Sequence, residues 1–158
     1  MTGKTHIIGG ITASLAFAQV TNYDPFILLG AGAVGALVPD ICHGGSKIGR
    51  TLPVVSKIIN TLFGHRTFTH SLLFLLLSAL LFTTVIPNEA LAAGLMIGMV
   101  SHLLLDMATR NGIKLFFPMK ITVRFPLTLK TGGPAEAAVF ALLSLFAVYF
   151  GYSAFNFA

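Results

Sequence analysis

The sequence predicts an all-α integral membrane protein, a compact bundle of about five helices with its functional site at one membrane face. Three observations predict this class. Charged residues make up 9% of the 158 positions and hydrophobic residues 55%, with a mean hydropathy of +0.87. A soluble domain carries about 25% charged residues, so this chain has too few polar groups to cover a water-facing surface. Its apolar residues fall into runs joined by connections. Finally, the ten Lys and Arg residues collect in alternate connections: Lys4; then Lys47, Arg50, Lys57 and Arg66; then Arg110, Lys114, Lys120, Arg124 and Lys130. The connections at 21–25 and 87–89 hold none. Basic connections stay on the cytoplasmic side, so the N-terminus and all five odd and even helix ends beside these loops are expected to face the cytoplasm.

The length is that of one domain, residues 1–158. The first helix is expected over 6–20, rich in Gly, Ala and Ser. Lys4, the apolar stretch and Ala16 and Ala18 before Gln19 resemble a signal peptide; the reading preferred is a retained first helix. The second helix spans 25–41, with Gly30, Gly32 and Gly35 permitting close helix contact within a bilayer. Residues 42–68 form a basic connection containing an amphipathic helix at 52–63, whose Leu52, Val55, Ile58, Ile59 and Leu62 recur at spacings of three and four. Such a helix suits the membrane interface. The third helix covers 69–86, with Thr69 as its N-cap, and the fourth covers 89–108. The second long connection, 109–133, contains an alternating segment at 120–125 that reads as a strand or extended stretch. The fifth helix runs over 134–155. Five spans are expected, several of them shorter than the ~20 residues of an upright crossing.

Odd-numbered helices start on the basic side and even-numbered helices end there. His6 opens the first, Asp40 closes the second, His65 and His70 flank the start of the third, His102 and Asp106 lie in the last turns of the fourth, and Glu136 opens the fifth. Every helix thus brings a ligand-type residue to one membrane face, where buried polar groups are costly and usually functional. His102 and Asp106, four apart, project from one helix face and can reach one ion; a His–Asp hydrogen bond at a helix end is the alternative. His65 and His70, five apart, can converge only if one sits on the lead-in loop. Arg66 offers a bidentate fork for a phosphate or carboxylate, or anchors the chain at the interface. Asp40 reads as a ligand or a turn cap, His6 as a ligand or an interfacial residue, and Glu136 as a ligand, a general base or an acid stabilised by the helix dipole. The lone Cys42 forms no intrachain disulfide and is either a thiolate ligand or a small buried residue. His43 is a weaker candidate, and Asp24 and Glu89 are expected to be solvated loop charges. A His, Asp and Glu set suits Zn²⁺, with Mn²⁺ or Fe as substitutes, and the number of candidates allows one or two ions. The matching chemistry is hydrolysis by a metal-activated water.

These residues, Thr5-His6, Leu37-Val-Pro-Asp40, Gly64-His-Arg-Thr-Phe-Thr-His-Ser71, Ser101-His-Leu-Leu-Leu-Asp106 and Gly132-Gly-Pro-Ala-Glu136, resemble in kind and order the YdjM-type family of inner-membrane metal-dependent hydrolases, over almost the whole chain. The resemblance implies an all-helical protein of the bacterial inner membrane with hydrolase activity. More distantly, the pattern is similar to the zinc-dependent phospholipase C superfamily, which also uses an HxxxD pair. Family members often read Pro-Asp-x-Asp-His where this chain has Pro39-Asp-Ile-Cys-His43.

The function expected is hydrolysis of a phosphoester in a phospholipid or lipid-linked substrate at the cytoplasmic face. Metal ligands are drawn from His6, Asp40, His65, His70, His102 and Asp106, while Glu136 is a ligand or base and Arg66 binds substrate. The partners expected are anionic membrane lipids. The net charge of +5 fits lipid contact and orientation better than nucleic acid, and a homo-oligomer stays open. Two rivals remain: a catalytically inactive scaffold that keeps a metal for stability or recruits a partner, and a transporter, which would need polar residues near the bilayer midplane.

Overall fold

The computed structural model describes residues 1–64 and 66–155. Among them lie seven α-helices, two 3₁₀ segments and no strand, in the order α1 (Gly3–Ala18), α2 (Pro25–Gly35), a 3₁₀ segment (Val38–Cys42), α3 (Lys47–Thr51), α4 (Pro53–Phe63), a second 3₁₀ segment (Phe68–His70), α5 (Leu72–Val85), α6 (Glu89–Met107) and α7 (Pro134–Ala154). Pro25–Cys42, Glu89–Met107 and Pro134–Ala154 are long and apolar enough to cross a membrane. The other two expected spans, α1 and α5, have 16 and 14 residues, short of the ~20 of an upright crossing.

The helix N-termini follow local chemistry. Asp24 is no mere solvated charge: its carboxylate caps α2 by accepting from the backbone of Phe26 and Ile27, in the manner of an acidic N-cap. Glu89 accepts from the Tyr23 hydroxyl at 3.0 Å. The second helix is not continuous. Pro39 lacks an N–H and its ring crowds the carbonyl four residues back, so α-helix gives way after Gly35 and a 3₁₀ segment carries Asp40. The third expected helix starts later than 69. Its cap is Ser71, whose hydroxyl accepts from the Phe74 N–H, and Thr69 sits instead in the 3₁₀ turn before it. The amphipathic helix at 52–63 forms as α4. The short α3 before it, capped by Ser46 on the Gly49 N–H, has no apolar periodicity that would have revealed it.

Helix α1 is the centre of the bundle, packed against α2, α6 and α7, while α2 also packs along α6 and α5 lies against α6. Small residues make this approach feasible. A Cβ added at Gly98 of α6 would fall 2.6 Å from the Ala36 nitrogen, so α6 and the end of α2 touch through their backbones. The remaining faces of α5 and α7 expose Leu76, Leu80, Leu145 and Val148, as lipid-facing helices do.

The connection 109–133 folds over the end of α6. Its alternating stretch is extended, not a strand, and joins the chain through isolated bridges Ile113–Val123 and Thr109–Leu129. The Phe125 and Leu129 N–H groups donate to the Met107 and Ala108 carbonyls at 2.9 and 2.8 Å, satisfying acceptors that a helix end leaves unpaired. Leu103, Met107 and Ile113 close beneath it with Leu115 and Val123. This cap seals the end of the bundle at which α1 begins and α6 ends.

Candidate metal centre

Four elements meet under that cap: α1 brings His6, the first 3₁₀ segment brings Asp40, the second brings His70, and α6 brings His102 and Asp106. The imidazoles of His6, His70 and His102 and the carboxylate of Asp106 are buried. The Nε2 atoms of His70 and His102 lie 3.2 Å apart. Around them, His70 Nε2 is 3.5 Å from Asp106 Oδ2 and 3.7 Å from Asp40 Oδ1. His102 Nε2 is 3.8 Å from each of the same two oxygens. His6 Nε2 stands 3.3 Å from Asp106 Oδ1, and its ring stacks on that of His102 with centroids 3.7 Å apart.

The second nitrogens explain why these atoms converge. His102 Nδ1 is 2.6 Å from the Ala36 carbonyl oxygen. A carbonyl only accepts, so Nδ1 carries the proton and neutral His102 turns the lone pair of Nε2 toward the cluster. Such orientation by a backbone carbonyl is the usual support of a metal-binding histidine. His70 Nδ1 is held likewise by the Thr69 hydroxyl at 3.1 Å. Burial pushes the His70 imidazole toward the neutral form, but hydrogen bonds to Asp106 and then Cys42 outweigh it, and its pKa lies above the ordinary 6.5.

The fit to a divalent cation can be tested on the atoms themselves. Two nitrogens bound to one tetrahedral zinc lie about 3.3 Å apart, given bonds of 2.0–2.1 Å, which matches the His70–His102 separation. Both ring nitrogens of His6 and Oδ2 of Asp106 are buried without a properly oriented hydrogen bond among the described residues, and buried polar atoms are seldom left so. Among the described residues, two overlapping triads can hold an ion: His6, Asp40 and His102, or His70, His102 and Asp106. Both use His102, whose Nδ1 is committed to Ala36.

Positive groups already answer the Asp106 charge. Arg66 Nη2 is 3.0 Å from Asp106 Oδ2, and the Met1 amino group pairs with Oδ1. Arg66 has a positive φ of 58°, a conformation that costs a non-glycine residue about 1–3 kcal/mol and tends to occur at functional sites. Its carbonyl accepts from the Lys114 N–H, tying it to the capping connection.

Not every expected residue joins the cluster. Glu136 belongs to neither triad. One oxygen accepts from the Thr2 N–H, the Thr2 hydroxyl and the Thr5 hydroxyl, and the other from the Gly132 N–H, at 2.6–2.8 Å. It therefore clamps the start of α1 to that of α7, one residue from His6. The Thr2 and Thr5 spacing signals such a clamp only once its acid is known. Cys42 is buried with its thiol directed to the Pro39 carbonyl at 3.6 Å, and it too is outside both triads. His43 is exposed. His65 lies outside the described residues. The Ala36 carbonyl and Thr69 were invisible as site residues in the sequence, because a backbone acceptor has no residue signature and Thr69 reads equally as a cap.

A family profile described as "YdjM inner membrane protein" matches residues 1–157. The chain is 54% identical to the Bacillus subtilis protein YvsG, described as uncharacterized, across 99% of this chain and 98% of that one. It is 32% identical to the inner membrane protein YdjM of Escherichia coli, across 97% of this chain and 84% of that one, and equally to YdjM of Shigella flexneri. No solved structure matches it.

Proposed function

Since the chain belongs to the YdjM inner membrane protein family, it is a membrane protein, and we propose that it is a metal-dependent hydrolase. The substrate of this reading is a phosphoester of a phospholipid or lipid-linked molecule, reached at the cytoplasmic face. The observation that carries it is the pair of His/Asp triads that share the buried His102, with the His70 and His102 Nε2 atoms 3.2 Å apart. The alternation of basic and uncharged connections supports the cytoplasmic orientation, and the phospholipase C likeness of the HxxxD pair supports the reaction class.

His70, His102 and Asp106 would hold the ion, with Asp40 and His6 completing its surroundings. With one Nε2 lone pair on His102, these residues suit one ion better than two. Zinc fits the donor set, with manganese or iron as substitutes. A bound divalent cation supplies Lewis acidity and lowers the pKa of a water. The chain's own groups do the rest. Arg66 and Asp40, 18% and 17% exposed, reach outward while the other cluster side chains are buried. Arg66, which pairs with Asp106, offers its outward fork to the substrate phosphate. Asp40 accepts a proton from the attacking water as its oxygen bonds to phosphorus. The ester P–O bond breaks, and the departing oxygen leaves as an alcohol after taking up the proton held by Asp40. Glu136 acts at a distance, as the residue that positions α1 and His6.

The test is turnover. Wild-type protein reconstituted with zinc or manganese is incubated with a panel of phospholipids and followed by ³¹P NMR. A new phosphomonoester signal, absent with His102→Ala of unchanged fold, supports the reading; equal turnover by that variant contradicts it. Cys42, buried where family members often carry Asp, favours a second reading, an inactive scaffold that keeps the ion for stability. Metal retention without turnover of any lipid would favour that reading. A transporter fits less well, because the cluster lies at helix ends; ion flux in vesicles tests it.

A further inference from the structure

We propose that the cavity between α3 and α4, outside the His–Asp cluster, binds the phosphate of an anionic phospholipid headgroup. The cavity has a volume of about 430 Å³, and Gly44, Gly49, Arg50, Ser56, Lys57 and Asn60 line it. Ser56 is the telling residue. It is 2% exposed, and its hydroxyl has no hydrogen-bond partner among the described residues. A buried hydroxyl that borders a cavity calls for a hydrogen-bond partner there. Arg50 and Lys57 supply two positive charges to the same walls. The acids of the chain are committed elsewhere: Asp24 caps α2, Glu89 meets Tyr23, Asp40 and Asp106 face the histidines, and Glu136 clamps α1. Two cations, a hydroxyl and the Asn60 amide together present donors to a tetrahedral oxyanion, a task for which the arginine fork is suited.

The surroundings of the cavity choose between a lipid and a free phosphate. Helix α4 exposes Val54 and Leu62 at 70% and 68%, together with Ile58. This amphipathic helix sits at the end of the bundle where the basic connections gather, so its apolar face has acyl chains as its natural neighbour. Embedded by that face, which is opposite Ser56 and Asn60, α4 holds the cavity at the depth of the headgroups, where the phosphate at hand is that of a lipid. The inference does not depend on hydrolysis at the cluster.

The test uses full-length protein, delipidated in an uncharged detergent, with calorimetric titration of short-chain phosphatidylglycerol, short-chain phosphatidylcholine and inorganic phosphate. Phosphatidylglycerol is expected to bind at least tenfold more tightly than either of the others. Arg50→Ala/Lys57→Ala should weaken it at least tenfold, with metal content and thermal midpoint unchanged. Lys57→Arg should retain it, and Ser56→Ala, a milder change should the double variant unfold, should weaken it severalfold. Binding unchanged by Ser56→Ala and by the double variant, or equal for the two lipids, would overturn the site. Inorganic phosphate binding as tightly as phosphatidylglycerol would overturn its assignment to lipid.

Discussion

His70 and His102 are 32 positions apart in the chain, yet their Nε2 atoms are 3.2 Å from each other. Each ring is steered by its other nitrogen, one by the Ala36 carbonyl and one by the Thr69 hydroxyl. The pair therefore depends on how closely α6 approaches the end of α2 and on the turn before α5. The predictions follow from these supports.

The approach of α6 to α2 is set at Gly98, one helical turn before His102. Gly98→Leu must push a side chain into the backbone around Ala36. Overpacking of this kind costs about 1–3 kcal/mol, and loss of the Ala36 support should weaken metal binding about 10–100-fold. Thermal unfolding in detergent and zinc titration measure both effects. A variant with native midpoint and native affinity would show that this contact does not position His102.

Glu136 is expected to act as a clamp. Glu136→Ala leaves the donors of Thr2, Thr5 and Gly132 without their acceptor, a loss of about 2–3 kcal/mol. Metal should still bind, with affinity reduced about tenfold through the displaced His6. Abolished metal binding at an unchanged unfolding midpoint would instead make Glu136 a ligand.

Arg66 should matter to turnover and not to metal content. Arg66→Ala is expected to lower turnover by about 10²–10³, the usual loss when a group that stabilises transition-state charge is removed. Arg66→Lys should recover only part, since the ammonium keeps the charge and loses the fork. Elemental analysis of both variants should match wild type; a loss of metal in either would assign Arg66 a structural role at Asp106.

The contribution of His70 to the pH response should differ in sign between stripped and loaded protein. His70 has a pKa raised above 6.5 in the metal-free fold. Its contribution to stability is therefore complete below the unfolded value and is lost as pH rises through the folded one. In stripped protein the stability advantage of wild type over His70→Gln should therefore shrink from pH 6 to pH 8. Metal requires the neutral imidazole, so the stabilisation by zinc should grow over the same interval. Unfolding midpoints with zinc or with a chelator, at both pH values, give the comparison.

Much of the architecture was legible because lipid demands long apolar runs, and α6 and α7 formed within a residue or two of their expected limits. The cluster at one membrane face was legible too, since helix direction alternates and the ligand-type residues fall at matching ends. What the sequence did not reveal depends on single local contacts. Pro39 interrupts the helix that its apolar neighbours would continue. Ser71 takes the cap expected of Thr69, because Thr69 is engaged with His70. The site of Glu136 followed helix position correctly in direction but missed its hydroxyl and N–H partners, which come from the start of α1 and a glycine turn.

The central claim is that these histidines and aspartates hold a metal ion. The most direct measurement is elemental analysis of the detergent-purified protein beside His102→Ala/Asp106→Ala, with circular dichroism to verify the fold of both. The account predicts about one equivalent of zinc, or of manganese or iron, in the wild type and none in a folded double variant. Wild-type protein that holds no metal, even after reconstitution with zinc or manganese, would contradict it and leave the cluster as a buried hydrogen-bonding network.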